Sequence, residues 1–155
     1  MPAGVSTERT VLSGAGVART LEELPAYRKA NELWVAVTPL LDRPAFGRNR
    51  KAQEQISEAL DSVLANMEEG FEQPTDRALE KYLFDAKGSA AELIVRLRMA
   101  CRRGYIAPDE FARCQALGQE LQRMLGGWIR YLARCDWKDR GRYNPDARRN
   151  GQEPD

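Results

Sequence analysis

The chain has 155 residues, 43% of them hydrophobic and 30% charged, which is the length of one domain and enough apolar material for a folded core. Its 24 basic and 23 acidic residues leave a formal net charge of +1, so overall electrostatics favours neither nucleic acid nor a membrane surface. Any basic patch must be local. Histidine is absent, which removes Ser-His-Asp and Cys-His nucleophile systems, imidazole acid–base chemistry and most zinc sites.

Residues 1–20 mix Gly, Ala, Ser and Thr without periodicity and read as a flexible arm. The string from Val11 to Gly16 is too short and glycine-broken for a signal peptide. No later stretch approaches the roughly 20 apolar residues needed to cross a bilayer. The expectation is a cytoplasmic protein with no membrane partner. A four-helix domain follows over 21–135, and 136–155 is a flexible charged tail with five bases and five acids among Gly, Pro and Asn.

The first helix is predicted from about Leu24 to Leu41, with Tyr27, Ala30, Leu33, Trp34, Val37 and Leu41 on one broad face. Pro39 lies in its last turn, and Asp42-Arg43-Pro44 completes the stop. The second starts after Asn49 as N-cap, carries Ile56, Leu60, Val63 and Met67 inward, and stops at Gly70. Pro74-Thr75 opens the third, with a stripe of Leu79, Leu83, Ala86, Ala90, Leu93, Leu97 and Cys101 ending at Gly104. Pro108-Asp109-Glu110 begins the fourth, where proline suits the first helical position and acids complement the helix dipole. Its seam steps by three and four through Phe111, Cys114, Leu117 or Gly118, Leu121, Leu125, Trp128, Leu132 and Cys135.

Short joins between such helices predict an all-α fold, an antiparallel up-down-up-down four-helix bundle roughly 30–40 Å long. Trp34, Phe71, Tyr82, Phe84, Ile94, Ile129 and Tyr131 fall partly outside the main stripes. They close a thick core or form a second buried face, and the second reading means self-association.

Charge in the middle helices is segregated. Seven acids and no base lie between Ala52 and Asp76, whereas Arg96, Arg98, Arg102 and Arg103 and no acid lie between Leu93 and Ile106. Counting about 22 residues either way from the turn at Gly70–Thr75 sets Lys51 level with Val95, so Arg48, Arg50 and Lys51 join the four arginines at one end. Two readings stay open. The arginines answer the dipole of their own helix and pair with Glu54 and Glu58, or the end binds an anion such as RNA or DNA phosphate. Bases at Arg50 and Lys51 sit at a helix N-terminus, where the dipole disfavours them.

The sequence carries no recognisable catalytic motif. There is no glycine-rich phosphate loop, and a bundle di-iron site fails without Glu-x-x-His motifs. Glu68-Glu69 and Glu92 lack a base, nucleophile or metal partner. Ser89 and Lys87 stand two residues apart on a helix and point in different directions. Cys101, Cys114 and Cys135 are odd in number and widely spaced, so they read as small thiols on helix faces. No enzyme, metal site or cofactor is expected.

Three strings carry a family resemblance. Asn66-Met67-Glu68-Glu69-Gly70-Phe71 resembles the N-I-A-E-G-F of the 23S rRNA intervening-sequence proteins, a bacterial four-helix-bundle family. Tyr82 to Leu93, with Ala86-Lys87-Gly88-Ser89 and Glu92-Leu93, is similar to that family's F-L-x-x-A-K-G-S-x-x-E-L, and Ala100 with Gly104-Tyr105-Ile106 is similar to its A-x-x-x-G-Y-I. The likeness runs from Leu24 to Leu132. The family is itself similar to the accessory variability protein of diversity-generating retroelements, a pentameric barrel that binds RNA and a reverse transcriptase.

The resemblance implies a non-enzymatic homo-oligomer, a pentamer, with RNA or DNA as a partner. In this reading Gly70 is a helix stop and Gly88 a close helix contact. Asn66, Glu69, Lys87, Ser89 and Glu92 form a polar network between helices or subunits, or else touch a ligand. Where family members carry Q-x-R-R-A, this chain has Gln55-Ile56-Ser57-Glu58-Ala59, so both bases are missing. The basic candidate is then the end formed by Arg48, Arg50, Lys51, Arg96, Arg98, Arg102 and Arg103. The alternative function is an oligomeric protein-interaction scaffold without nucleic-acid affinity.

Overall fold

This computed structural model describes residues 11–13, 16–18 and 20–134. Cys135, the 136–155 tail and most of the 1–20 arm therefore lie outside the described residues. Within the arm, Val11–Ser13 (β1) pairs antiparallel with Gly16–Ala18 (β2). Strands of three residues are too short to display alternation in the sequence, so they left no signal.

Four helices follow: α1 (Pro25–Leu41), α2 (Arg50–Phe71), α3 (Asp76–Arg102) and α4 (Pro108–Arg134). Short 3₁₀ turns at Leu21–Glu23 and Pro44–Arg48 precede α1 and α2. Local chemistry sets most ends. Asn49 Oδ1 accepts the Ala52 N–H at 3.1 Å, and Thr75 Oγ1 accepts the Ala78 N–H at 3.1 Å. Gly104 adopts φ +77°, and Tyr105 N–H donates to Ala100 O at 2.9 Å while Gly104 N–H donates to Cys101 O at 3.0 Å. These two bonds form a Schellman C-cap, which only glycine enters without strain.

Gly70 is different. It is not the stop expected from the sequence, because α2 runs on to Phe71 and Gly70 is buried. A Cβ there would stand 2.7 Å from Tyr82 Cβ, so glycine is needed for the approach of α3.

Contact pairs run in opposite order along neighbouring helices, which makes each pair antiparallel. Tyr27 Oη donates to Glu68 at 2.8 Å, and Gln53 Nε2 donates to Leu41 O at 2.6 Å, joining α1 and α2. Burial and the Glu68 carboxylate both push the Tyr27 hydroxyl pKa upward. Ser62 and Ser89 hydroxyls meet at 2.8 Å between α2 and α3, and Lys29 pairs with Glu120 at 3.4 Å between α1 and α4. Ile94 lies over Gly118, which takes the α4 seam position while Leu117 is half-buried.

Leu33, Val37, Ile56, Leu60, Val63, Met67, Leu83, Leu93, Leu121 and Leu125 fill the core, and no charged or polar residue among those described is buried. Of the surplus apolar residues, Phe71, Ile94 and Ile129 are buried, and Trp34, Tyr82 and Tyr131 are half-buried. Trp34, Ile129 and Tyr131 belong to the main core, and Phe71 packs with Leu24 in a smaller cluster. Phe84 alone of that set is exposed, at 55%. Cys114 is buried, which pushes its thiol pKa up, and Cys101 is half-buried. No described helix is long and apolar enough to cross a membrane.

Candidate nucleic-acid interface

One end of the bundle gathers the last turn of α1, the Pro44–Arg48 turn, the first turn of α2, the last turn of α3 and the start of α4. The Ser62–Ser89 contact fixes the register of α2 against α3. Eleven residues back along α2 and eleven forward along α3 put Lys51 level with Ala100, and the same step continued puts Arg48 level with Arg103. The count from the sequence alone sets Lys51 against Val95. Helix α2 extends past Gly70 and the turn is tighter than assumed, so the true register carries Lys51 further toward Arg102 and Arg103.

Arg48, Arg50, Lys51, Arg102 and Arg103 are all exposed. Among the described residues none of the five has an ion-pair partner. Glu54 and Glu58, also exposed, make no ion pair with any of them. Repulsion among the five bases is left to solvent and counterions. Arg102 and Arg103 gain from the α3 dipole, but Arg50 and Lys51 oppose that of α2.

The other two arginines are engaged within the fold. Arg98 is half-buried with its guanidinium 5.8 Å from the Phe111 ring centroid, a cation–π contact onto α4. Arg96 lies 3.8 Å from Glu92 one turn earlier, and its Nε is buried without a hydrogen-bond partner. Five unpaired bases thus form the patch, and Arg96 and Arg98 border it.

Residues that sequence reasoning passed over hold this end in shape. Phe46 is buried and packs on Tyr105, ring centroids 5.2 Å apart, and Asn49 Nδ2 reaches the Tyr105 hydroxyl at 3.4 Å. A lone aromatic between Pro44 and Gly47 was the available signal for this anchor. Arg43 forms a two-pronged ion pair with Glu110, whose Oε1 also accepts the Ala107 N–H at 2.9 Å. The Glu110 carboxylate so closes the N-terminus of α4 and ties it to the α1–α2 connection.

The Ala107 N–H and the Arg43 guanidinium hold the Glu110 carboxyl below its ordinary range. The folded chain then releases this proton more readily than the unfolded chain. The stabilisation is complete above the ordinary carboxylate range and disappears as pH falls through the lowered folded-state value. Glu110→Gln is expected to lower the melting temperature at pH 7 and to make no difference at strongly acid pH. A melting difference independent of pH would assign the effect to packing instead.

The motif residues divide between faces. Asn66 Nδ2 donates to Ser62 O at 2.8 Å and to Ser62 Oγ at 3.1 Å, so Asn66 and Ser89 are linked through Ser62. Lys87 is not in that network; it lies over Gly126 of α4. Glu69 and Glu92 are exposed, and Glu92 meets only Arg96. Gly88 is exposed with nothing within 4 Å of an added Cβ, so it is no close contact within the bundle. Helix rotation explains the reversal: Gly88 shares the outer face of α3 with Phe84, Val95 and Met99. No group of three or more Cys, Asp or Glu among the described residues is arranged to hold a metal ion.

The sequence profile of the 23S rRNA-intervening sequence proteins matches residues 22–127. The chain belongs to that family. In structure, this family member is similar to a protein of unknown function from the S23 ribosomal protein family of Bacteroides thetaiotaomicron, with a TM-score of 0.60 and 20% identity. The likeness covers 67% of this chain and 97% of the other, and it shows a shared fold. Among curated proteins none matches the chain. The matched span begins at the 3₁₀ turn before α1 and ends within α4, so the β1–β2 ribbon stands outside the family region.

Proposed function

We propose that this family member is a non-enzymatic, self-associating cytoplasmic bundle whose basic end binds the phosphates of RNA or DNA. The observation that carries the reading is the unpaired state of Arg48, Arg50, Lys51, Arg102 and Arg103, supplied by two helices and a turn at one end. Two of these bases oppose the dipole of their own helix, a cost of about 0.3–1 kcal/mol each that an anionic partner removes. The family description names 23S rRNA, which favours RNA. The pentamer is supported by the resemblance to the accessory variability protein of diversity-generating retroelements.

The test is binding of single-stranded and duplex RNA and DNA across a salt series. Each phosphate neutralised contributes about −0.7 (single strand) to −0.9 (duplex) to the slope of log K against log salt, so the patch predicts a slope of several units. Lys51→Glu with Arg102→Glu is expected to weaken binding about a hundredfold. Neither residue has an ion-pair partner to lose, so stability should change only through the helix dipoles, by about 1 kcal/mol per site, upward at Lys51 and downward at Arg102. No binding at low salt sinks the proposal.

The exposed apolar residues of α3 favour a second reading, a protein-interaction scaffold without nucleic-acid affinity. It predicts that Arg98→Glu changes the assembly mass while the salt series shows no binding.

A further inference from the structure

Helix α4 carries two adjacent glycines in its interior, Gly126, which is buried, and Gly127, which is half-buried. Glycine weakens a helix interior, so each calls for a reason in the tertiary structure. Gly70 and Gly118 have one, because a Cβ there would strike Tyr82 or Ile94 of α3. At Gly126 the three atoms nearest an added Cβ belong to two cationic side chains. They are Arg130 Nη1 at 3.3 Å, Lys87 Nζ at 3.4 Å and Lys87 Cε at 3.9 Å. At Gly127 the one neighbour within 4 Å is Arg130 Nη2, at 3.8 Å. At neither glycine is the nearest neighbour a core side chain or the backbone of another helix. Two positive heads stand over the space that the glycines leave.

These heads are like charges held close. Both approach one point, so they lie within the sum of the two distances, about 6.7 Å, of each other. Neither Lys87 nor Arg130 has an ion-pair or hydrogen-bond partner among the described residues. One turn either way along their own helices the neighbours are apolar residues, glycines and Arg134, with no carboxylate among them. Arg123, exposed and three residues before Gly126, adds a third positive group rather than a counter-ion. Nothing in the bundle offsets this repulsion. An anion between the heads removes it and uses the space above the glycine pair.

We infer that Lys87 and Arg130 hold a dianionic phosphate group over Gly126 and Gly127. Charge-assisted hydrogen bonds of about 2.7–2.9 Å from the two heads reach the oxygens of one such group across this gap. A guanidinium offers a fork of donors and an ammonium a movable point charge, a pair that fits a tetrahedral oxyanion. Their two charges match the charge of about −1.5 to −2 that a terminal phosphate carries at pH 7. A carboxylate or a phosphodiester leaves one charge unmatched. Inorganic phosphate and the phosphorylated end of a nucleic acid share this chemistry.

The site is separate from the basic end. Arg102 is fifteen residues further along α3 than Lys87, a rise of about 22 Å. Binding here does not depend on the proposed nucleic-acid contact, and either can fail alone.

Calorimetric titration of the full chain with inorganic phosphate, at ionic strength held constant with sodium chloride, tests the inference. Phosphate is expected to bind and to raise the melting temperature above that in chloride alone. Lys87→Gln and Arg130→Gln, on different helices, are each expected to weaken binding about tenfold or more, since each removes a charged hydrogen bond. Gly126→Ala puts a methyl group 3.3–3.4 Å from both heads and should weaken it too. Lys51→Glu with Arg102→Glu should leave it unchanged. Helical circular dichroism checks each fold, and either charge variant decides the outcome if the other fails to fold. Competition with 5′-phosphate and 5′-hydroxyl oligonucleotides distinguishes the sources. Displacement by the first alone assigns the site to a nucleic-acid end, and displacement by neither assigns it to free phosphate. Equal displacement by both means that any backbone phosphate suffices, which overturns the dianion assignment. The inference is also overturned if phosphate does no more than chloride, or if the Lys87 and Arg130 variants bind it as the unaltered chain does. Loss of binding in the Lys51 and Arg102 variant would place the phosphate at the basic end instead.

Discussion

Replacing Phe46 with Ala is expected to cost about 3–5 kcal/mol of folding stability, the usual range for emptying a buried phenylalanine site. Phe46 is 1% exposed and stacks at a tilt on Tyr105, the residue that completes the α3 C-cap. The turn that carries it has five residues and no other buried side chain, so little can move in to fill the space. Against a typical domain stability of about 5–15 kcal/mol, this is a large fraction of the total. The same change frees Arg48, on the same turn, from a fixed position beside Arg102 and Arg103. Denaturant unfolding should show a lower midpoint, and nucleic-acid affinity should fall in the fraction that stays folded. A loss below about 1 kcal/mol would mean that Phe46 is not an anchor.

Gly70→Val is the second large effect. The first added carbon would stand 2.7 Å from Tyr82 Cβ and 3.3 Å from Leu79 Cδ1. Tyr82 Cβ is fixed to the α3 backbone and has no rotamer that escapes, so the two helices must separate. Overpacking of this kind costs about 1–3 kcal/mol. Gly88→Ala should act in the opposite direction. Its Cβ meets nothing within 4 Å, and replacing glycine inside an exposed helix gains up to about 1 kcal/mol. Thermal melts of the two glycine variants shifting the same way would contradict the helix rotation described above.

These two glycines mark where sequence reading reaches its limit. Both lie in helical pattern and in family-like strings, and the sequence assigned a stop to one and a close contact to the other. The structure assigns the close contact to Gly70 and an exposed face to Gly88. Nothing local distinguishes them, because the rotation of α3 about its axis depends on how Leu79, Leu83 and Ala86 seat against α2 and α4. The patch shows the same division. Charge segregation between α2 and α3 was legible from residue counts, and so was the joining of Arg48, Arg50 and Lys51 to the α3 arginines. The removal of Arg98 onto Phe111 and the Arg43–Glu110 clamp, whose partners are 67 residues apart, was not.

The sequence by itself determined the four helices, their main punctuation and their inward stripes. Each depends on neighbours within a few residues: Asn49 capping Ala52, Thr75 capping Ala78, Gly104 turning α3 off, and Pro108 opening α4. It also determined the absence of histidine and the near-balanced net charge. Tertiary structure decided the register, which moved Lys51 from Val95 to Ala100, and the division of seven basic residues into five unpaired and two engaged. It also decided which apolar residues stay outside. Such choices come from side chains interlocking across helices, where a rotation or a slide of one helix changes every contact at once while leaving the local pattern unaltered.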